Sequence, residues 1–140
     1  RMGRAGAANI IPTTTGAAIA TTKALPEYEG KFDGVAIRVP IPVGSLSDMT
    51  FVMDKKVTVK EVNAVLEEES KTDRYKGIID TTYDPIVSSD IVKSPFASTV
   101  DLSMTRVVDG DLLKVMTWYD NEWGFTNQMV RQIIDIKNNG

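Results

Sequence analysis

The chain has 140 residues, a net charge of −3, and neither cysteine nor histidine. That length suffices for one domain with a real core, and the mild acidity gives no reason to expect nucleic acid or an anionic membrane as a partner. The two missing residue types exclude a disulfide framework, a thiolate nucleophile, Ser-His catalysis and zinc-histidine chemistry within these residues. Any covalent catalysis therefore needs a residue from elsewhere, and no metal site is expected. No apolar run approaches a membrane span, and no apolar core region follows Arg1-Met2-Gly3-Arg4, so no signal peptide is expected. The opening lacks an initiator Met and reads like the middle of a loop, which suggests a missing upstream part.

Arg1 to Ala8 is small, flexible and carries two arginines, a predicted loop. Asn9 to Leu25 reads as an extended lead-in, a turn and a helix. Pro12 biases Ile11 away from helical angles. Thr13, Thr14 and Thr15 are poor in a helix interior but good at its start, and the alanine-rich run from Gly16 to Leu25 can be helical until Pro26 ends it. Val35 to Pro40 is a predicted strand with Val35, Ile37 and Val39 on one face and Ala36 and Arg38 on the other. Val43-Gly44 turns the chain into a second strand, Ser45 to Met53, whose more apolar face is Met49, Phe51 and Met53. Thr58-Val-Lys-Glu61 is a capping box opening a helix to Ser70, with Val59, Val62, Val65 and Leu66 as its buried stripe and Glu67 to Glu69 facing water. Gly77 to Thr81 is a short strand, Pro85 to Asp90 a candidate helical turn, and Ser98 to Ser103 and Thr105 to Val108 are short strands. Asp109-Gly110-Asp111 is a hairpin turn before Leu112 to Tyr119, a strand apolar on both faces and so expected at the centre of the sheet. A last helix begins near Trp123, with Phe125, Met129, Val130, Ile133 and Ile134 on a face expected to pack on the sheet. The predicted fold is one domain, residues 1–140, of α+β class: a mixed, largely antiparallel sheet with helices packed on one face.

Three places could carry chemistry. Thr15-Gly16 puts a hydroxyl and free backbone N–H groups at the positive end of a helix, which suits an anion, although Thr15 is equally explained as a cap. Arg38 sits among apolar strand residues, where a guanidinium needs an anion or a carboxylate such as Asp48, or must lie exposed at an edge; arginine is also the residue suited to bidentate phosphate recognition. Asn121 follows the apolar strand, where ligand contacts are common, although Asp120 or Asn121 would also serve as a helix cap.

Three motifs stand in order along the chain: Asn-Ile-Ile-Pro-Thr-Thr-Thr-Gly-Ala-Ala (Asn9 to Ala18), Arg-Val-Pro (Arg38 to Pro40) and Trp-Tyr-Asp-Asn-Glu-Trp-Gly-Phe (Trp118 to Phe125). Together they resemble the catalytic domain of glyceraldehyde-3-phosphate dehydrogenase, in its carboxyl-terminal part. The resemblance implies that Thr15 and Gly16 bind inorganic phosphate, that Arg38 binds phosphate groups of substrate and attacking phosphate, and that Arg1 is a second phosphate-binding arginine. It implies that Asn121 hydrogen-bonds the nicotinamide carboxamide of NAD. It further implies a cytoplasmic homotetramer that converts triose phosphate and inorganic phosphate to an acyl phosphate. The family's nucleophilic cysteine, its histidine base and its dinucleotide-binding domain lie upstream of the matched region, so the isolated chain is expected to be inactive. An erythrose-4-phosphate dehydrogenase-like enzyme and an inactive binding or assembly fragment are the alternative readings.

Overall fold

The computed structural model describes residue 1 and residues 3–139. They form two compact units, residues 1–42 and 43–140.

In the larger unit the sheet is built around β7 (Leu112–Tyr119). It pairs along its whole length with β3 (Ser45–Val52), from Ser45 opposite Tyr119 to Val52 opposite Leu112. Its carboxyl half pairs with β5 (Ser98–Asp101) and its amino half with β6 (Arg106–Val108), all antiparallel. β4 (Ile79–Thr82) adds to β5 in parallel and ends the order β3-β7-β5-β4. The sheet is thus mixed and largely antiparallel, and β7 is central, as its sequence requires. The β6–β7 hairpin turns through Asp109 and Gly110, both at positive φ (49° and 79°), which glycine adopts freely and aspartate tolerates.

One face of this sheet is the core. Leu113 and Val115 of β7 join Val100 and Leu102, and Met49, Met53, Ile79 and Val107 pack against them. The cover is α2 (Val59–Glu69), through Val62 and Leu66. Its start is the expected capping box: Thr58 Oγ1 accepts from Glu61 N at 3.2 Å, and Glu61 Oε2 accepts from Thr58 N at 2.8 Å. The Thr58 hydroxyl also donates to Glu61 Oε2 at 2.7 Å, and that bond first, then the one from Thr58 N, holds the Glu61 carboxyl below its ordinary pKa. Val65, expected in the buried stripe, is exposed, as is Val59 at the helix start. Residues 85–90 form a turn closed by Asp90 N to Val87 O at 2.9 Å rather than a helical turn.

The last helix, α3 (Trp123–Asn139), departs from expectation. Its apolar stripe does not pack on the sheet: Met129, Val130, Ile133 and Ile134 are all at least half exposed, and Phe125 is 65% exposed. Periodicity marks a face that needs cover; it does not say that the cover lies in the same residues.

In the smaller unit β1 (Ile11–Thr14) and β2 (Val35–Arg38) form an antiparallel two-stranded ribbon. α1 (Ala17–Ala24) follows β1, then a 3-10 turn at Pro26–Tyr28. Ile11 and Ala18 are the buried apolar residues here, whereas Val35, Ile37 and Val39, which share one face of their strand, are exposed. Alternation separated the two faces correctly, but the face that carries Ile11 is the buried one.

Candidate functional site

The turn into α1 is made by Thr15 and Gly16. Gly16, at helical angles, stands at the cap position and offers no side chain; Thr15 Oγ1 reaches over it to accept from Ala17 N at 3.2 Å. The helical ladder begins only at Ala20 N, which donates to Gly16 O at 3.0 Å. No acidic residue lies in the first turn, so no side-chain charge there offsets the positive helix end. The cap reading of Thr15 is thus half met, because its hydroxyl bonds the nearest N–H of the turn and its oxygen keeps further capacity.

Arg38 ends β2 opposite Ile11, while Ala36 lies opposite Thr13. Directly opposed residues share a face, so the ribbon carries Ile11, Thr13, Ala36 and Arg38 on one side. Arg38 is exposed, and within residues 1–42 it makes no ion pair among the described residues. Of the readings open for Arg38, exposure at an edge is the one met, since its strand neighbours Ile37 and Val39 are themselves exposed. Asp48, the carboxylate weighed as its partner, bonds Lys114 Nζ at 2.7 Å. Register sets Arg38 level with a residue four positions before Thr15, about 13 Å back along the strand direction at the usual rise. The ribbon therefore carries guanidinium and helix start as two offset groups. Arg1 is exposed in the loop ahead of β1, where its carbonyl accepts from Arg4 N at 3.1 Å. Asn9 folds that loop by donating to the carbonyls of Arg4 and Ala5 at 2.9 and 3.2 Å.

Asn121 belongs to the larger unit, in the turn between β7 and α3. The choice between Asp120 and Asn121 as the cap is resolved by burial. Asp120 is 3% exposed; its Oδ1 accepts from Glu122 N and Trp123 N at 2.9 and 2.7 Å, and its Oδ2 from Lys93 N at 2.8 Å. Burial pushes the Asp120 carboxyl up, and the three backbone donors outweigh that and hold it below its ordinary pKa. Asn121 is exposed, and its Nδ2 donates to Glu122 Oε1 at 2.9 Å. Its other amide hydrogen and its oxygen remain for a ligand, and a primary amide can both donate to and accept from a carboxamide. In that respect Asn121 fits a nicotinamide.

Several residues that shape this turn carry no plain sequence signal. Lys93 adopts φ 66° to bring its N–H to Asp120. Gln128 Nε2 donates to the carbonyls of Pro95 and Gly77. Gly124 is the exception, since a glycine inside a helical pattern is itself a flag for close approach. A hollow of about 420 Å³ lies against the same turn, lined by Lys93, Asp120, Glu122 and Trp123 among others.

Residues 1–121 match the family described as glyceraldehyde 3-phosphate dehydrogenase, C-terminal domain. The chain belongs to that family. Relatives named glyceraldehyde-3-phosphate dehydrogenase share its sequence throughout. The protein from Streptomyces coelicolor is 47% identical over 138 residues, 99% of this chain and 41% of its own length. The one from Haloarcula vallismortis is 50% identical over 130 residues, 93% of this chain and 38% of its own. The one from Mycobacterium leprae is 48% identical over 130 residues, again 93% and 38%. The resemblance carried by the three motifs is borne out, as is the α+β fold. The chain spans about two-fifths of the length of these relatives, and no helix among its described residues is long and apolar enough to cross a membrane.

Proposed function

We propose that this chain is the carboxyl-terminal part of the catalytic domain of a cytoplasmic, homotetrameric, NAD-dependent glyceraldehyde-3-phosphate dehydrogenase that forms 1,3-bisphosphoglycerate from the aldehyde and inorganic phosphate. Thr15 and Gly16 receive inorganic phosphate, Arg38 and Arg1 supply the cationic contacts to substrate phosphates, and Asn121 holds the nicotinamide carboxamide. The observation that carries the reading is Arg38: exposed and free of an ion pair among the described residues of its unit, on the ribbon that runs directly into a helix start with no acidic residue. The offset between the two groups suits two dianions rather than one.

In this reading the residues bind and orient. Backbone N–H groups and the Thr15 hydroxyl hold the attacking phosphate, and the guanidinium offsets charge as the phosphate approaches a carbonyl carbon. Both lower the barrier by positioning and by fixed electrostatics. NAD, when bound, accepts the hydride; the role of Asn121 is to fix the ring's orientation. The nucleophile and base come from outside these residues, which contain no cysteine or histidine, and the chain by itself is inactive.

In the full-length enzyme, Arg38→Leu is expected to raise the apparent KM for phosphate or triose phosphate at least about tenfold, because charge-assisted hydrogen bonds are worth about 1.5–3 kcal/mol. Arg38→Lys recovers part of the loss through its charge but not the bidentate geometry. Unchanged KM values for both substrates remove Arg38 from the site.

A further inference from the structure

We propose that Gly124 and Gln128 are positioning residues for Asn121, clamping the start of α3 onto the loop at residues 93–96; the inference rests on the reading of Asn121 as the nicotinamide contact. Among the described residues the side chain of Asn121 bonds only its exposed neighbour Glu122, so where its amide stands is set by the backbone of the turn. That backbone is tied upstream by Asp120, whose Oδ2 holds Lys93 N. Downstream it is tied by α3 itself, and α3 is held in an unusual way.

The apolar stripe of α3 is exposed. The helix attaches instead through Gly124, Gln128 and Arg131, spaced four and three apart and so on one face. Gly124 lies flat on the loop: a Cβ there would sit 2.5 Å from Phe96 O and 3.5 Å from Ser94 O. One turn on, Gln128 Nε2 donates to Pro95 O at 2.9 Å and to Gly77 O at 3.1 Å. One further turn on, Arg131 Nη1 donates to Lys76 O. The seam is made of side-chain donors on backbone carbonyls, with a missing Cβ at the point nearest Asn121. Such contacts specify an angle and a distance more sharply than apolar packing, because an N–H···O bond needs about 2.7–3.2 Å between heavy atoms and weakens steeply below about 120° at the hydrogen. Gly124 is three residues from Asn121, about 4.5 Å along the helix axis, so lifting the helix off Phe96 O moves the asparagine directly. Misplacement by about 1 Å of a positioned group can cost about a hundredfold in rate.

The test uses the full-length enzyme with four variants: Gly124→Ala, Gln128→Met, Asn121→Ala and Thr58→Ala. Methionine keeps the length of Gln128 and removes both donors. Thr58→Ala removes the α2 cap, and serves as a loss of stability remote from the turn. Gly124→Ala and Gln128→Met are expected to raise the KM for NAD about tenfold and about threefold, with the KM for phosphate within twofold of wild type. Asn121→Ala does the same, and Thr58→Ala changes neither. If Gly124→Ala does not fold, Gln128→Met decides by the same split. A rise for Asn121→Ala that neither seam variant reproduces overturns the clamp alone. An unchanged NAD KM in Asn121→Ala overturns the nicotinamide reading and the clamp with it. Equal effects on both substrates, or an equal effect from Thr58→Ala, reduce the seam to general stability and overturn the proposal.

Discussion

Asp120 buries a carboxylate at the foot of α3 and satisfies it wholly with backbone N–H groups. Its folded pKa is depressed, so the unfolded chain takes up the proton first as pH falls. The stability it contributes is complete above the ordinary aspartate value of about 3.9 and is lost as pH drops through the lower folded value. Asp120→Asn replaces one acceptor oxygen with a donor facing an N–H. It is expected to cost about 1–3 kcal/mol at pH 7, the penalty for a buried donor left unmatched, and the difference from wild type should shrink in urea titrations as the pH is taken below the ordinary aspartate value and through the lower folded one. A constant difference across that range would mean that the ionised form is not what the turn needs. Residue type alone left Asp120 and Asn121 interchangeable as caps. Only burial separates them, and burial depends on where the loop at residues 93–96 lies. Arg38 is the opposite case: the residue and its strand were legible, but its surroundings were not, because alternation tells which residues share a face and not which face meets solvent.

Among the elements, α2 was the most legible, since its cap and its stripe are both local. Thr58→Ala is expected to cost about 1 kcal/mol, and Leu66→Ala about 2–5 kcal/mol, because Leu66 packs on the core formed by Val100, Leu102, Leu113 and Val115. Val65→Ala, in the same expected stripe but exposed, should stay within about 0.5 kcal/mol. Chemical denaturation of the three variants checks the order; a Val65 effect equal to that of Leu66 would place α2 at a different rotation over the sheet. The expected stripe is two residues too wide, at Val59 and Val65, because helical spacing alone does not set where a packed face ends. The β6–β7 hairpin was legible from Asp109-Gly110, a signal contained in two residues. The parallel pairing of β4 with β5 was not, since it joins Ile79 to Ser98 across a connection without a helix, and nothing local encodes that partnership.

Over the whole chain, apolar residues are not confined to the interior. Residues 43–140 bury a compact cluster on one sheet face, yet along α3 Met129, Val130, Ile133 and Ile134 are each at least half exposed. Contiguous apolar surface of this kind is uncommon on a monomer, and the sequence pattern that marks it is the same one that marks a buried helix. The two cases separate on substitution. Val130→Lys together with Ile133→Lys puts two charges on the stripe. If the stripe faces water, the cost is that of two surface changes, each within about 0.5 kcal/mol, partly offset because lysine favours helix over valine and isoleucine. The thermal midpoint of the 140-residue chain should then move by less than about 5 °C, given that 1 kcal/mol shifts a chain of this size by about 3–4 °C. Binding of an apolar dye and concentration-dependent association should both fall. If the chain covers the stripe with its own residues, two unpaired charges are buried instead, at several kcal/mol each, and the variant fails to fold. A midpoint lowered by 15 °C or more (roughly 4–5 kcal/mol on the same scale) would therefore contradict the exposed arrangement of α3 and restore the packing that periodicity alone suggests.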